Sequence, residues 1–211
     1  MDMKIAGLVL AGGQARRMHG QDKAFLDTGN GFSLDRVFAR LQHECSAVAI
    51  SANGDFARFS AWQCPVLPDS IHNVGPLAGV LSGLEWAEKY GYDTLITIPV
   101  DTPFIPVGLV AALVPAPSYA CCGGQSHPLV AAWPVSAKPV LAAQLSFLTA
   151  ENKKHQTRVR TLAHVLEARA VDFPLIEGVD PFMNINTPED LMRAQKYCAP
   201  VCRVDAARGN G

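Results

Sequence analysis

The chain has 211 residues, 49% of them hydrophobic and 18% charged, with a net charge of −1; this suits one well-packed domain and excludes a disordered polymer. Near-neutral charge excludes a global basic field for nucleic acid, so an anionic ligand would be held by a local cluster of cations. The start lacks a basic segment followed by a long apolar core, and no apolar run is long enough to cross a bilayer, so the expectation is a cytoplasmic protein away from membranes.

Residues 5–10 form a continuous apolar run, the pattern of a buried strand, and pass into Gly12-Gly13, Arg16-Arg17, Gly20 and Lys23. Glycine lets backbone N–H groups approach phosphate oxygens, arginine offers a planar fork of donors, and lysine a point charge. A strand running into such a loop is one way to hold a polyphosphate. The spacing is not that of the P-loop, because Lys23 stands three residues past Gly20 and precedes Ala24. Nor is it the dinucleotide fingerprint, since Gly12-Gly13-Gln14-Ala15-Arg16-Arg17 does not read Gly-x-Gly-x-x-Gly. Two glycines alone would suit a plain strand-to-helix turn; the ordered set of glycines, arginines and lysine favours phosphate.

A turn cluster at 27–31 precedes a helix with Ser33 as its N-cap and Leu34, Val37, Phe38 and Leu41 at helical spacing. Residues 47–51 read as a second strand, ending in Ser51-Ala52-Asn53-Gly54-Asp55. A polar cluster at the end of a parallel strand lies where ligands bind in open α/β sheets. Asn53 can offer its amide to a base or ribose; equally, it suits a turn before glycine. Residues 65–67 form a short third strand that delivers Asp69. Gly75-Pro76 then opens an amphipathic helix through Leu81, Leu84, Trp86 and Ala87, and helix N-termini attract anions.

The β-branched strand at 94–98 leads into Pro99-Val100-Asp101-Thr102-Pro103-Phe104-Ile105-Pro106. Prolines on both sides fix the backbone around one carboxylate. Asp101 is a hard oxygen donor of the kind Mg²⁺ takes beside a triphosphate; a capping Asp is the plainer reading. A short helix at 107–114 follows, ended by Pro115-Ala116-Pro117. Strands at 119–122 and 129–133 flank a loop containing His127, and are too close in sequence to pair other than antiparallel. The six cysteines at 45, 64, 121, 122, 198 and 202 lack paired spacing and read as reduced thiols rather than a zinc site, with Cys121 and Cys122 on opposite faces of their strand.

Helices are expected at 136–150 and 161–169, and a late strand at 170–173. The polar, basic run at 151–160 reads as a solvated helix end or as a flexible lip for an anion. Thr187 suits the N-cap of a last helix, with Pro188 first inside it and Glu189 and Asp190 favourable to its dipole. Asn184 and Asn186 point the same way if their segment is extended. Residues 1–198 read as a single domain and 199–211 as a short frayed tail.

These stretches, taken together, resemble the signatures of nucleotidyltransferases that move a nucleoside monophosphate from a triphosphate onto a phosphorylated acceptor. Within them the chain is most similar to the molybdenum cofactor guanylyltransferase family. The shared elements are Leu10-Ala11-Gly12-Gly13 with Arg17 and Lys23, Gly75-Pro76-Leu77-Ala78-Gly79, Val100-Asp101-Thr102-Pro103, His127-Pro128, and Asn184-Ile185-Asn186-Thr187-Pro188-Glu189. One departure is His19, where that family usually carries glycine. The resemblance implies a three-layer α/β/α, Rossmann-like fold with a mostly parallel sheet and one antiparallel strand. It implies transfer of GMP from GTP to the phosphate of molybdenum-bound molybdopterin, with Mg²⁺ as cofactor and molybdoenzyme apoproteins or their chaperones as further partners.

Carried over position by position, it assigns Leu10, Ala11, Gly12, Gly13, Lys23, Ser51, Asn53, Asp69, Gly75 and Asp101 to the nucleotide. Asp101 also takes the metal, and Arg17 and Lys23 stabilise the phosphates and departing pyrophosphate. Gly79, His127, Asn184 and Asn186 fall on the acceptor side. The nucleophile is already an anionic phosphate oxygen, so no general base is required and catalysis becomes charge neutralisation and alignment. A CTP-dependent cytidylyltransferase of the same fold is the nearest alternative, but its loop typically reads Leu-Ala-Ala-Gly. Sugar-1-phosphate nucleotidyltransferases usually carry extra domains. A non-catalytic nucleotide or cofactor carrier would not need Arg17, Lys23 and Asp101 together.

Overall fold

The structure is a computed structural model that describes residues 3–12, 22–29, 31–148 and 157–206, with side chains described as far as 197. Its apolar runs pair into a mixed sheet of β1 (Ile5–Leu10), β2 (Ala47–Ser51), β3 (Val66–Leu67), β4 (Thr94–Pro99), β5 (Ser118–Cys122), β6 (Gln125–Pro134) and β7 (Arg169–Phe173). The strand order is β3-β2-β1-β4-β6-β5-β7. β6 pairs antiparallel with both β4 and β5, and every other pairing is parallel. Six α-helices are described: α1 (Ser33–Glu44), α2 (Pro76–Lys89), α3 (Leu109–Leu113), α4 (Lys138–Ser146), α5 (Val159–Val165) and α6 (Pro188–Ala206).

The three layers follow from side-chain alternation along the strands. Val9 of β1 and Ile96 and Ile98 of β4 face α1 and α3, in one apolar cluster with Leu34, Leu41, Leu109 and Leu113. Leu8 and Leu10 of β1 and Leu95 of β4 face the other way, toward α2, α4 and α5, with Leu77, Leu84, Leu141 and Leu162. Parallel strands covered on both faces must be apolar throughout, which is why β1 and β4 are continuous hydrophobic runs. A third, smaller cluster joins α6 to the rest, as Ile185 and Ala194 meet Leu26 and Phe104. The three-layer fold with one antiparallel strand is therefore the one expected.

Several boundaries differ from the sequence reading, each for a local reason. Ser33 is the first residue inside α1, not its cap, and its hydroxyl donates to the carbonyl of Val100; Asp35 instead accepts from the N–H of Phe32 at 3.2 Å. The hairpin turn is only Gly123-Gly124, both at positive φ, so β6 begins at Gln125 and His127 lies on a strand and not in a loop. The helix expected at 161–169 runs from Val159 to Val165, and Arg169 begins β7. α4 ends at Ser146, and α6 continues past Cys198 to Ala206, where a frayed tail is expected from sequence. Thr187 does cap α6: its Oγ1 accepts from Asp190 N at 3.2 Å, and Asp190 Oδ2 accepts from Thr187 N at 3.0 Å.

Candidate active site

Parallel alignment of β1, β2 and β4 brings their carboxyl ends to one edge, where an open α/β sheet binds ligands. Backbone bonds hold that edge together beyond the strands. Ala11 N donates to Ser51 O at 2.9 Å, Ala52 N to Leu67 O at 3.1 Å, and Val100 N to Leu10 O at 3.0 Å. Leu10, Ala11, Gly12, Ser51 and Asp101 thus converge from three strands. Gly13 and Arg17, along with His19 and the run at 151–156, lie outside the described residues.

At the centre is Lys23, in a short 3-10 turn of Lys23–Phe25 whose first N–H bond is supplied by Asp22, as Ala24 N donates to Asp22 Oδ1 at 3.1 Å. Lys23 Nζ lies 2.6 Å from Asp101 Oδ2, with the two side chains only 20% and 16% exposed. The same ammonium donates to Asn186 Oδ1. Partial burial limits screening by water, so this pairing is stronger than a surface ion pair. Asp101 stands in the turn after β4, closed by Thr102 N donating to Pro99 O at 3.1 Å. Its own carbonyl accepts from Ile185 N at 2.9 Å, and Thr102 Oγ1 donates to Asn184 Oδ1 at 2.9 Å. The Asn184-Ile185-Asn186 segment therefore runs alongside the Asp101 turn: Asn184 meets Thr102 of that turn, and Asn186 meets the lysine paired with Asp101.

A second cluster lies on the β2 side. Asn53 and Asp69 form a reciprocal pair: Asn53 Nδ2 donates to Asp69 Oδ2 at 2.7 Å, and Asp69 N donates to Asn53 Oδ1 at 3.0 Å. Asn53 therefore presents Asp69, and both of its amide ends are engaged in doing so. Arg58 ties this cluster to the lysine turn, since one nitrogen donates to Asn53 O at 3.2 Å while the other meets Asp22 Oδ2 at 2.9 Å. Nothing in the local pattern of the sequence points to Arg58; for Asp22 the cue is an aspartate standing before a short turn.

The entrance of α2 shows two different uses of glycine. Gly75 has φ +67° with open space where a Cβ would stand, so backbone conformation is what requires it. Gly79 is required by contact, because a Cβ there would lie 2.4 Å from Ser51 Oγ and 3.0 Å from Leu10 Cδ2. The structure places Gly79 and the buried Ser51 against each other in the packing of α2 on the sheet.

Beside Asp101 is a cleft of about 340 Å³ lined by Pro76, Thr102, His127, Arg158, Arg160 and Asn184. It joins four of the sequence motifs to the described end of the basic run. Arg160 is held at its rim by donating to Ser126 Oγ at 2.8 Å. His127 Nε2 lies 2.8 Å from Asp180 Oδ2, a partner not foreseen from sequence.

Magnesium fits this donor set. Among the described residues no group of three His, Cys, Asp or Glu side chains could hold a metal, but Mg²⁺ beside a triphosphate takes one or two carboxylates and completes its shell with phosphate and water. Asp101 could supply that carboxylate, and Asn186 Oδ1, which shares the Lys23 ammonium with it, is a further hard donor. The thiols among the described residues are poorly suited to chemistry. Burial, with the Glu44 charge adding, pushes Cys45 up to about 12; burial pushes Cys64 up to about 11. Cys122 is raised by burial first and by Asp180 second.

The pattern for a MobA-like NTP transferase domain matches residues 7–172. The molybdenum cofactor guanylyltransferase of Cereibacter sphaeroides is 44% identical over 197 residues, which cover 92% of this chain and 96% of that one. The enzyme of the same description from Acidiphilium cryptum is 44% identical over 192 residues, covering 90% and 94%. Among solved structures, the molybdopterin-guanine dinucleotide biosynthesis protein A of Archaeoglobus fulgidus superposes with a TM-score of 0.69, covering 92% of this chain and 98% of that one at 19% identity, a likeness of fold.

Proposed function

Because the chain belongs to the family of MobA-like NTP transferases, with molybdenum cofactor guanylyltransferases among its relatives, we propose that it transfers GMP from GTP to the phosphate of molybdenum-bound molybdopterin. The products are the guanine dinucleotide cofactor and pyrophosphate. The observation that carries this reading is the contact of Lys23 with both Asp101 and Asn186 at the carboxyl edge of the sheet. One cation and one carboxylate are held together there, drawn from three motifs remote in sequence.

The reaction joins an anionic phosphate oxygen to the α-phosphorus of another anion, and the α–β bridging oxygen leaves with pyrophosphate. Approach of like charges is the obstacle, so positioned charges matter more than proton transfer. Lys23 supplies positive charge toward the phosphates, and Arg17 is the second cation assigned to them. Asp101 would hold Mg²⁺, which when bound neutralises phosphate charge. Asp69, presented by Asn53, serves the base or ribose, and Gly75 at the entrance of α2 lets backbone N–H groups face the nucleotide. The cleft of His127, Arg158, Arg160 and Asn184 suits an anionic, heterocyclic acceptor, because it combines cations, hydrogen-bonding groups and an apolar floor.

The test has two stages. Calorimetry of GTP, CTP and ATP, each with Mg²⁺, is expected to show preference for GTP; preference for CTP would keep the fold and change the product. Turnover with molybdenum-bound molybdopterin should then release one pyrophosphate per dinucleotide formed. Binding of GTP without any turnover would overturn the catalytic reading in favour of a carrier.

A further inference from the structure

Asp180 stands behind the acceptor cleft and is not among its lining residues. Its Oδ1 accepts from Phe182 N at 2.8 Å, which fixes the carboxylate on its own chain turn, and its Oδ2 meets His127 Nε2 at 2.8 Å. The His127 side chain is only 16% exposed. The ring of the fully buried Phe182 lies 5.3 Å from it, so the imidazole is confined from the side as well. A carboxylate can only accept, so the proton of this bond sits on Nε2. His127 lines the cleft, and in the neutral ring the nitrogen that Asp180 does not engage, Nδ1, carries the lone pair.

We propose that Asp180 is a positioning residue for the acceptor substrate. It locks His127 in the Nε2–H tautomer, so that Nδ1 is presented as a hydrogen-bond acceptor to an N–H group of the acceptor's heterocycle. This rests on the guanylyl-transfer reading for the identity of the occupant. The geometry of the pair stands without it. A ring nitrogen that accepts discriminates by chemistry, since a ligand edge carrying only acceptors would leave two lone pairs facing each other. Because Asp180 does not reach the cleft, its effect on the acceptor must pass through His127.

The experiment compares wild type with Asp180→Ala, Asp180→Asn, His127→Ala and the double variant His127→Ala/Asp180→Ala. Wild-type turnover is measured first and tests guanylyl transfer by itself. Side-chain nitrogen NMR of labelled histidine then reads the ring state directly, with no dependence on turnover. The wild-type ring should be Nε2–H. Asp180→Asn, whose amide must spend its one oxygen on Phe182 N or on His127, should shift His127 toward the Nδ1–H form.

In kinetics, Asp180→Ala should raise the acceptor KM about tenfold, the scale of losing one charge-assisted hydrogen bond. GTP affinity by calorimetry should stay within about twofold, since the nucleotide residues lie elsewhere. The double variant should match His127→Ala. An unchanged acceptor KM in Asp180→Ala, additive losses in the double variant, or a wild-type Nδ1–H ring would each overturn the proposal. Should Asp180→Ala not fold, Asp180→Asn carries the same KM and tautomer readouts.

Discussion

At the scale of single residues, the site works by pairing charges that would otherwise be costly to hold half-buried. Lys23 and Asp101 neutralise each other at 2.6 Å, and each is expected to turn to its own partner when the nucleotide arrives. Lys23→Ala should lower kcat about 100- to 1,000-fold, the range seen when one positioned donor to transition-state charge is removed. Asp101→Asn should reduce turnover comparably, and chelation of Mg²⁺ should abolish it in the wild type. Steady-state assays with varied GTP and Mg²⁺ check all three; a change confined to KM would make Lys23 a ground-state binder.

The thiols give a second residue-scale expectation. Cys45 is pushed up to about 12 from an ordinary 9.0 by burial, with Glu44 adding. The folded state thus holds this proton more tightly than the unfolded chain. Its contribution to stability is complete below pH 9 and lost as pH rises toward 12. The urea midpoint should therefore fall above pH 9 in the wild type, and fall less steeply in Cys45→Ala.

At the scale of elements, the site depends on how closely α2 and the start of α6 approach the sheet edge. A Cβ at Gly79 would meet Ser51 Oγ at 2.4 Å and Leu10 Cδ2 at 3.0 Å. Gly79→Ala should therefore destabilise the protein by about 1–3 kcal/mol, the usual cost of overpacking, measured by urea unfolding. The cap of α6 has a double consequence. Asp190 Oδ2 accepts from both Asn186 N and Thr187 N, so the same turn that starts the helix fixes the backbone of the asparagine that meets Lys23. Thr187→Ala should cost about 1 kcal/mol of stability through the lost cap.

At the scale of the whole molecule, nucleotide binding should stabilise the entire fold, because the residues proposed to hold it stand at the ends of β1, β2 and β4 and at the entrance of α2. Saturation at about 100 times Kd adds about 2.7 kcal/mol, which for a domain of this size raises Tm by about 5–10 °C. Thermal unfolding with Mg·GTP should show this shift, and Mg·CTP a smaller one. No helix among the described residues is long and apolar enough to cross a membrane.

Much of this architecture is local and was open to sequence reading. Continuous apolar runs mark strands buried on both faces, and the closeness of β5 and β6 forces their antiparallel pairing. Pro76 and the Thr187-Pro188 pair announce helix entrances. The motifs around Asp101 and Asn186 identify family and chemistry. Strand order and partner choice were decided by tertiary structure alone. Lys23 with Asn186, Asn53 with Asp69, Arg58 with Asp22, and His127 with Asp180 are joined by hydrogen bonds or ion pairs. Periodicity reports which face of an element is buried, since hydrophobic burial is non-directional and repeats along the chain. A hydrogen bond needs two particular atoms within about 3 Å and in line, and only the completed packing of remote segments sets that distance.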